Sequence, residues 1–178
     1  NELISLPESL PTMTNLKCLA ISNNRINVLP KSFGDMRLMT KVLMRNNMLE
    51  TLPPTIGYLR RLKVLDFAKN QVKTLPPEMG ALLALTHIDG SFNEISGCWP
   101  TELGCVPELR SCIFTHNKIE ELPYTVGGLT TLTLLNFSNN RLHHVPESVG
   151  NMLSLTNLNL SCNKLVALPE RIGDAQAL

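Results

Sequence analysis

Hydrophobic residues along the chain follow two superposed periods. Over short stretches they alternate, as at Leu65 and Phe67 or Leu158 and Leu160, the period of two expected of a strand with one face turned inward. Over longer stretches a whole block returns. Leu16-x-x-Leu19-x-Ile21-x-x-Asn24-x-Ile26-x-x-Leu29-Pro30-x-x-Phe33-Gly34-x-Met36 reappears with apolar residues in the same places down to Leu155, Leu158, Leu160, Leu165, Leu168 and Ile172. Prolines mark the register at Pro7, Pro30, Pro53, Pro76, Pro100, Pro123, Pro146 and Pro169, with spacings of 23, 23, 23, 24, 23, 23 and 23. Asparagines keep step at Asn1, Asn24, Asn47, Asn70, Asn93, Asn117, Asn140 and Asn163, so the extra residue falls between Asn93 and Pro100.

A short strand that returns every 23 residues with the same face inward pairs with its equivalents in parallel. The pattern predicts stacked thin coils whose seven strands form a sheet roughly 29 Å across, at ~4.8 Å per strand. Each coil is too thin to bury its own leucines, so the coils above and below cover them and stability becomes a sum of neighbour terms. Each buried leucine then contributes ~1.5 to 3 kcal/mol. Asn24, Asn47, Asn70, Asn93, Asn117, Asn140 and Asn163 are expected to be structural. An amide directed into an apolar coil is costly unless its donors and acceptor are met, and the bend after each strand leaves backbone groups that no sheet satisfies. The prolines open return segments of about eight residues, short enough to favour 3₁₀ turns or loops over helices. Apolar–glycine pairs such as Ile56-Gly57, Val149-Gly150 and Ile172-Gly173 predict a tight turn before the next strand.

The unit Leu-x-x-Leu-x-Leu-x-x-Asn-x-Leu-x-x-Leu-Pro-x-x-Ile-Gly-x-Leu resembles the 23-residue leucine-rich repeats of intracellular scaffolds such as Scribble, Erbin, Densin and the Ras-suppressor group. The resemblance covers essentially the whole chain, one domain over residues 1–178 with about 7.7 repeats. It implies an α/β solenoid: a right-handed coil with a parallel concave β-sheet and short 3₁₀ or loop segments on the convex side. It also implies a protein-binding scaffold or signalling adaptor, with neither enzymatic activity nor a cofactor.

One unit departs from the rest. Ile95-Ser96-Gly97-Cys98-Trp99-Pro100-Thr101-Glu102-Leu103-Gly104 belongs to the 24-residue period and resembles a segment of plant receptor-type repeats. In the same repeat Gly90 stands where the inward strand residue should be large, and Trp99 replaces the leucine before proline. The Trp99 ring is expected to fill the volume beside Gly90, since an empty leucine-sized hole would cost a few kcal/mol. This unit and two glycosylation-type triplets, Asn136-Phe137-Ser138 and Asn159-Leu160-Ser161, suggest the alternative of a secreted or receptor-type recognition ectodomain.

Composition narrows the partners. Sixteen basic residues face fifteen acidic ones for a net charge of +1, which gives no overall excess with which to hold nucleic acid. No apolar run approaches the ~18 residues of a membrane span. Five cysteines, Cys18, Cys98, Cys105, Cys112 and Cys162, show no paired motif, pointing to a reducing, cytoplasmic setting. Cys112 takes a strand leucine's place and is expected to be an inert core thiol, Cys18 and Cys162 fall at exposed positions, and a bridge between Cys98 and Cys105 stays open. The chain starts inside one repeat and stops at the first leucine of another, as a piece of a longer protein without caps would.

Function is sought at strand positions facing away from the leucines, on the concave side. These give Lys41, Val64 and His87, then Leu43, Asp66, Asp89 and Ile113, then Arg45, Ser91 and Thr115. In-register parallel strands would set Asp66 beside Asp89 at about 5 Å, where like charges repel and a cation is favoured. A basic side chain of a protein partner is expected between them, with Leu43, Val64 and Ile113 as apolar contacts and Arg45 for an acidic group. The alternative is a solvated face on which Arg45 and His87 offset the carboxylates. His87, Asp89 and Ser91 alternate along one strand with roots ~6.5 to 7 Å apart, too far for a catalytic relay needing contacts of ~3 Å. Asp66, His87 and Asp89 also lack the fixed spacing of a metal site. His143 and His144 fall on the return side, where exposure is expected.

Overall fold

The computed structural model describes residues 1–178. Its strands are β1 (Cys18–Ala20), β2 (Lys41–Leu43), β3 (Val64–Asp66), β4 (His87–Asp89), β5 (Ser96–Cys98), β6 (Ser111–Ile113), β7 (Lys118–Glu121), β8 (Leu134–Asn136) and β9 (Asn157–Asn159). Seven of them form one parallel sheet in the order β1-β2-β3-β4-β6-β8-β9, and β5 pairs with β7 in a second, two-stranded sheet. The register is the one the repeat implies: Leu43 lies beside Asp66, Asp66 beside Asp89, and Asp89 beside Ile113.

The strands of the seven-stranded sheet stay short because the chain bends sharply three residues after each of them. Asn23, Asn46, Lys69, Phe92, His116, Asn139 and Cys162 all adopt left-handed φ values of 54–58°. That region costs free energy for any residue with a Cβ, most for bulky ones. Bonds between coils hold it: Asn46 N–H donates to Ala68 O at 2.8 Å and Phe92 N–H to Thr115 O at 2.8 Å. Nothing in the hydrophobic pattern foretells this, since Asn occupies only part of the series and Lys69, Phe92, His116 and Cys162 are poor left-handed formers.

The asparagines form the expected ladder. Asn70 Nδ2 donates to Phe67 O at 2.8 Å in its own coil and to Met44 O at 3.0 Å in the coil before, while its Oδ1 accepts from Leu49 N–H at 3.0 Å. Asn47, Asn93, Asn117, Asn140 and Asn163 repeat the arrangement, accepting from Ile26, Val72, Ile95, Ile119 and Leu142. Asn24 accepts from Leu3 but donates only within its own coil. The inner rungs, from Asn47 to Asn140, therefore satisfy backbone groups that burial would otherwise leave unpaired.

On the convex side the carbonyl of each register proline starts a 3₁₀ turn, and Pro53, Pro76, Pro123, Pro146 and Pro169 are extended. Pro53 O accepts from Ile56 N–H at 2.9 Å and Pro146 O from Val149 N–H at 3.1 Å. The turns span Leu10–Thr12, Phe33–Asp35, Pro54–Tyr58, Pro77–Ala81, Thr101–Cys105, Tyr124–Gly128, Glu147–Asn151 and Glu170–Asp174. The apolar–glycine pairs Ile56-Gly57, Val149-Gly150 and Ile172-Gly173 lie within these tight turns, as the sequence predicts. The glycines of such pairs do not use left-handed backbone; instead coils touch there, and a Cβ on Gly34 would fall inside the Thr55 carbonyl. Forty buried apolar residues between the two layers form one continuous core from Ile21 to Leu155.

The 24-residue unit absorbs its extra residue at Gly97, whose φ is +75° and beside which the β5–β7 register shifts. Trp99 is fully buried, as a core role demands, but it does not fill the space beside Gly90. That space belongs to the rings of Phe67 and Phe114 from the coils on either side, which lie 2.6 and 2.5 Å from where a Gly90 Cβ would sit. The two rings meet edge to face at 6.1 Å. Trp99 lies behind them, edge-on to Phe114 at 6.0 Å and to Phe137 at 5.8 Å, with its indole N–H unpaired. The expectation failed because two large residues at equivalent positions of adjacent coils reach across a missing side chain more easily than one from the convex side.

Candidate docking surface on the concave sheet

The concave face carries a shallow depression of about 250 Å³ over β2, β3, β4 and β6, with Lys41, Leu43, Val64, Asp66, His87, Asp89 and Ile113 in its lining. The register brings Leu43, Val64 and Ile113 up as half-buried apolar floor, and Lys41 and His87 stand exposed around them. A groove of about 760 Å³ crosses the far side along Leu29, Leu52 and Leu75 and the Pro53-Pro54 and Pro76-Pro77 pairs, with Lys31 and Glu78 as its charged members. The concave depression has less volume but a denser set of charged and apolar groups.

The cation that two neighbouring carboxylates call for is supplied within the chain. Arg45 Nη1 lies 3.2 Å from Asp89 Oδ2 and 4.0 Å from Asp66 Oδ1. It reaches Asp89 two coils away over Ala68, the small, buried residue at the equivalent place in β3's coil. A larger residue at position 68 would stand in its path. Asp66 Oδ1 also accepts from Ala68 N–H at 3.0 Å. Burial pushes the Asp66 carboxyl above its ordinary range; the Ala68 bond opposes this, Asp89 adds to it and Arg45 opposes it.

Two residues placed on this face by sequence are occupied otherwise. Ser91 is only 3% exposed, and its hydroxyl and N–H both donate to Asp89 Oδ1. It positions Asp89 and is not free to meet a partner. Thr115 is half-buried and bonded to Ser138 Oγ at 2.8 Å and His116 Nδ1 at 3.0 Å. His87 Nδ1 lies 2.8 Å from Thr86 Oγ1, so the imidazole is turned to its own strand neighbour. His143 and His144 are exposed on the return side. Cys112 is buried with its thiol pushed up in pKa by desolvation and then by Asp89, while Cys18, Cys98, Cys105 and Cys162 are exposed and all five are unpaired. No helix is long and apolar enough to cross a membrane.

Sequence reasoning missed a feature on the rim. The rings of Phe92 and His116 stack at 4.2 Å with planes 11° apart, and Lys69 Nζ sits 5.9 Å from the Phe92 ring centre. All three are left-handed bend residues. Their spacing at the ladder register, immediately before Asn70, Asn93 and Asn117, is the signal that could have found them.

With register, ladder and sheet in place, the Leucine Rich Repeat family model matches residues 15–36, 131–152 and 154–175. The chain is a leucine-rich repeat solenoid. It superposes on a Leptospira interrogans leucine-rich repeat protein with TM-score 0.92 and 31% identity, covering 100% of this chain and 45% of that one. It is also similar to the ectodomain of the Arabidopsis thaliana membrane receptor kinase GASSHO1/SCHENGEN3, solved in complex with CASPARIAN STRIP INTEGRITY FACTOR 2. There the TM-score is 0.85 and identity 26%, over 90% of this chain and 20% of that one. A plant peptide hormone receptor, RGFR1 in complex with RGF2, gives TM-score 0.76 and 28% identity, over 100% of this chain and 33% of that one. The chain thus spans less than half the length of each of these solved proteins. No curated protein matches it in sequence. Leucine-rich repeat domains generally act as protein-interaction modules, and the matches point to no enzyme family.

Proposed function

We propose that this solenoid docks a protein partner on its concave sheet and acts as an intracellular scaffold or signalling adaptor in the cytoplasm. The observation that carries the reading is the depression in which half-buried Leu43, Val64 and Ile113 are framed by Lys41, His87 and the Arg45–Asp89 pair. Apolar anchors inside a charged frame are what a binding centre requires, since the anchors supply burial and the frame supplies register. A basic side chain of the partner reaches Asp66, whose 4.0 Å contact with Arg45 is the looser of the two. The four exposed, unpaired cysteines support a reducing compartment.

The test is affinity capture with the native chain beside a Leu43→Glu, Ile113→Glu variant and a convex-turn Glu78→Lys control. A partner retained by the native chain and the control, and lost from the concave variant with an unchanged circular dichroism spectrum, is the expected result. Equal retention by all three would refute the concave reading. A second reading, a receptor-type ectodomain, is favoured by the β5–β7 pair in the plant-like unit and by the likeness to two plant receptors. Its mark would be glycan mass at Asn136 or Asn159 after expression through a secretory route.

A further inference from the structure

The near-neutral total charge conceals a segregation between the two edges of the sheet. Where the chain leaves the strands, cations meet glutamates of the coil before: Arg25 with Glu2, Lys73 with Glu50 at 3.4 Å, and Lys118 with Glu94 at 3.2 Å. Where the chain enters the strands of the first three coils, Lys17, Arg37, Lys41, Arg60, Arg61 and Lys63 face a single acid, Asp35. None of these six cations makes an ion pair or a side-chain hydrogen bond, although every one is exposed. Three of them are arginines gathered with Tyr58 around one cleft of about 430 Å³. The Arg37 guanidinium lies 6.0 Å from the Tyr58 ring centre, which steadies it at the cleft wall.

Water and salt screen exposed like charges, so the cluster costs the fold little while leaving several unpaired guanidinium forks in reach of one anion. We propose that the Arg37–Tyr58–Arg60–Arg61 cleft binds a phosphate monoester carried by a protein partner, that is, a phosphorylated side chain. A phosphoserine carries about −1.5 to −2 charges and three acceptor oxygens, which matches several guanidinium forks. A carboxylate carries one charge and two oxygens and is met by one fork. The Tyr58 hydroxyl adds one more donor beside the phosphate. Nucleic acid fits poorly, because the patch runs over three coils, roughly 10 Å between outer strands, and ends where the next coil presents Leu83 and Ala84. The inference does not depend on the concave reading, since the cleft shares no residue with the concave depression.

The experiment follows the arginine Nε–Hε resonances of the 178-residue chain while adding an alanine pentapeptide with a central phosphoserine. Its counterparts with central serine and central glutamate, inorganic phosphate, and vesicles of phosphatidylserine in phosphatidylcholine form the other arms. Saturable shifts at Arg37, Arg60 and Arg61 are expected, with the phosphopeptide binding roughly tenfold tighter than the glutamate peptide, as for one strong charge-assisted bond. Inorganic phosphate competes for the same resonances. Arg60→Ala with Arg61→Ala abolishes saturation, and Arg37→Lys, which keeps charge but loses the fork, weakens it severalfold; both variants keep the native circular dichroism because the residues are exposed. Equal affinity for the phosphoserine and glutamate peptides, shifts that stay linear and are reproduced by sodium chloride, or vesicle binding without phosphopeptide binding would each overturn the proposal.

Discussion

Replacing Asn93 by alanine isolates what one rung of the ladder contributes. Its Oδ1 is the partner of Val72 N–H at 2.9 Å, and its Nδ2 donates to Phe67 O at 3.1 Å, Gly90 O at 3.0 Å and Ser91 O at 3.3 Å. Phe67 O keeps a donor in Asn70 Nδ2 and Gly90 O keeps one in Asn117 Nδ2, so the group left with nothing is the buried Val72 N–H. An orphaned buried donor costs about 1–3 kcal/mol, and the lost donations add about 1 kcal/mol, giving a destabilisation of about 2–4 kcal/mol. Asn24→Ala provides the comparison. Asn24 is only half-buried and its acceptor serves the exposed Leu3 N–H, where water takes over, so the loss there should stay under about 1 kcal/mol. Urea unfolding followed by circular dichroism measures both at unchanged slope. Asn93→Asp keeps the acceptor but buries a carboxylate against carbonyl oxygens, and should be at least as damaging as alanine at pH 7. Equal losses at Asn93 and Asn24, or an Asn93→Ala midpoint indistinguishable from the parent, would show that the amides are not what holds the bends.

Gly90→Leu would restore the residue type of the repeat, yet it should destabilise by about 1–3 kcal/mol in the same assay because the Phe67 and Phe114 rings already fill the site. A gain in stability would refute that packing. Asp66→Asn should raise the urea midpoint at pH 7. Because burial raises the folded-state pKa of Asp66, its ionisation costs stability as pH rises through that raised value, so the benefit should vanish as pH falls below the unfolded value near 3.8. A benefit that persists at pH 3 would contradict the sign. Iodoacetamide should label four cysteines of the folded chain and spare Cys112, with the fifth label appearing only in denaturant, read by mass spectrometry. Leu43→Glu should lower the unfolding free energy by about 1 kcal/mol or less, because the residue is only half-buried and the main cost is the new carboxylate beside Asp66.

The architecture was legible in the chain because a 23-residue period with one inward face leaves the strands a single way to pair. Placement of Leu43, Val64, Asp66, His87, Asp89 and Ile113 on one face followed from strand alternation alone. Their contacts did not. Arg45 bonds Asp89 across two coils because Ala68 leaves room between them, and a side chain's reach is not written in the spacing of its neighbours. Ser91 shares the outward parity of Arg45, but a short hydroxyl beside a carboxylate folds onto it and is lost to the surface. The aromatic packing around Gly90 escaped for a related reason: a missing side chain is filled by whichever neighbours are largest and nearest in space, here those at the same position one coil away. The basic edge was hidden by averaging, since a net charge near zero records the sum and not where the signs lie.

The same aromatic packing limits how freely such a chain can be cut and spliced. Most seams set one aliphatic side chain against another at the equivalent position, so excising a whole unit brings similar contacts together. Around Gly90 the fit is individual: Phe67 leans into a vacancy beside it, Phe114 shares that vacancy and also supports Trp99, and Trp99 in turn touches Phe137. Taking out any one of these coils strands a large ring against a partner shaped for something else. The middle of the molecule is therefore fixed in order, whereas units towards either end meet through less individual aliphatic contacts.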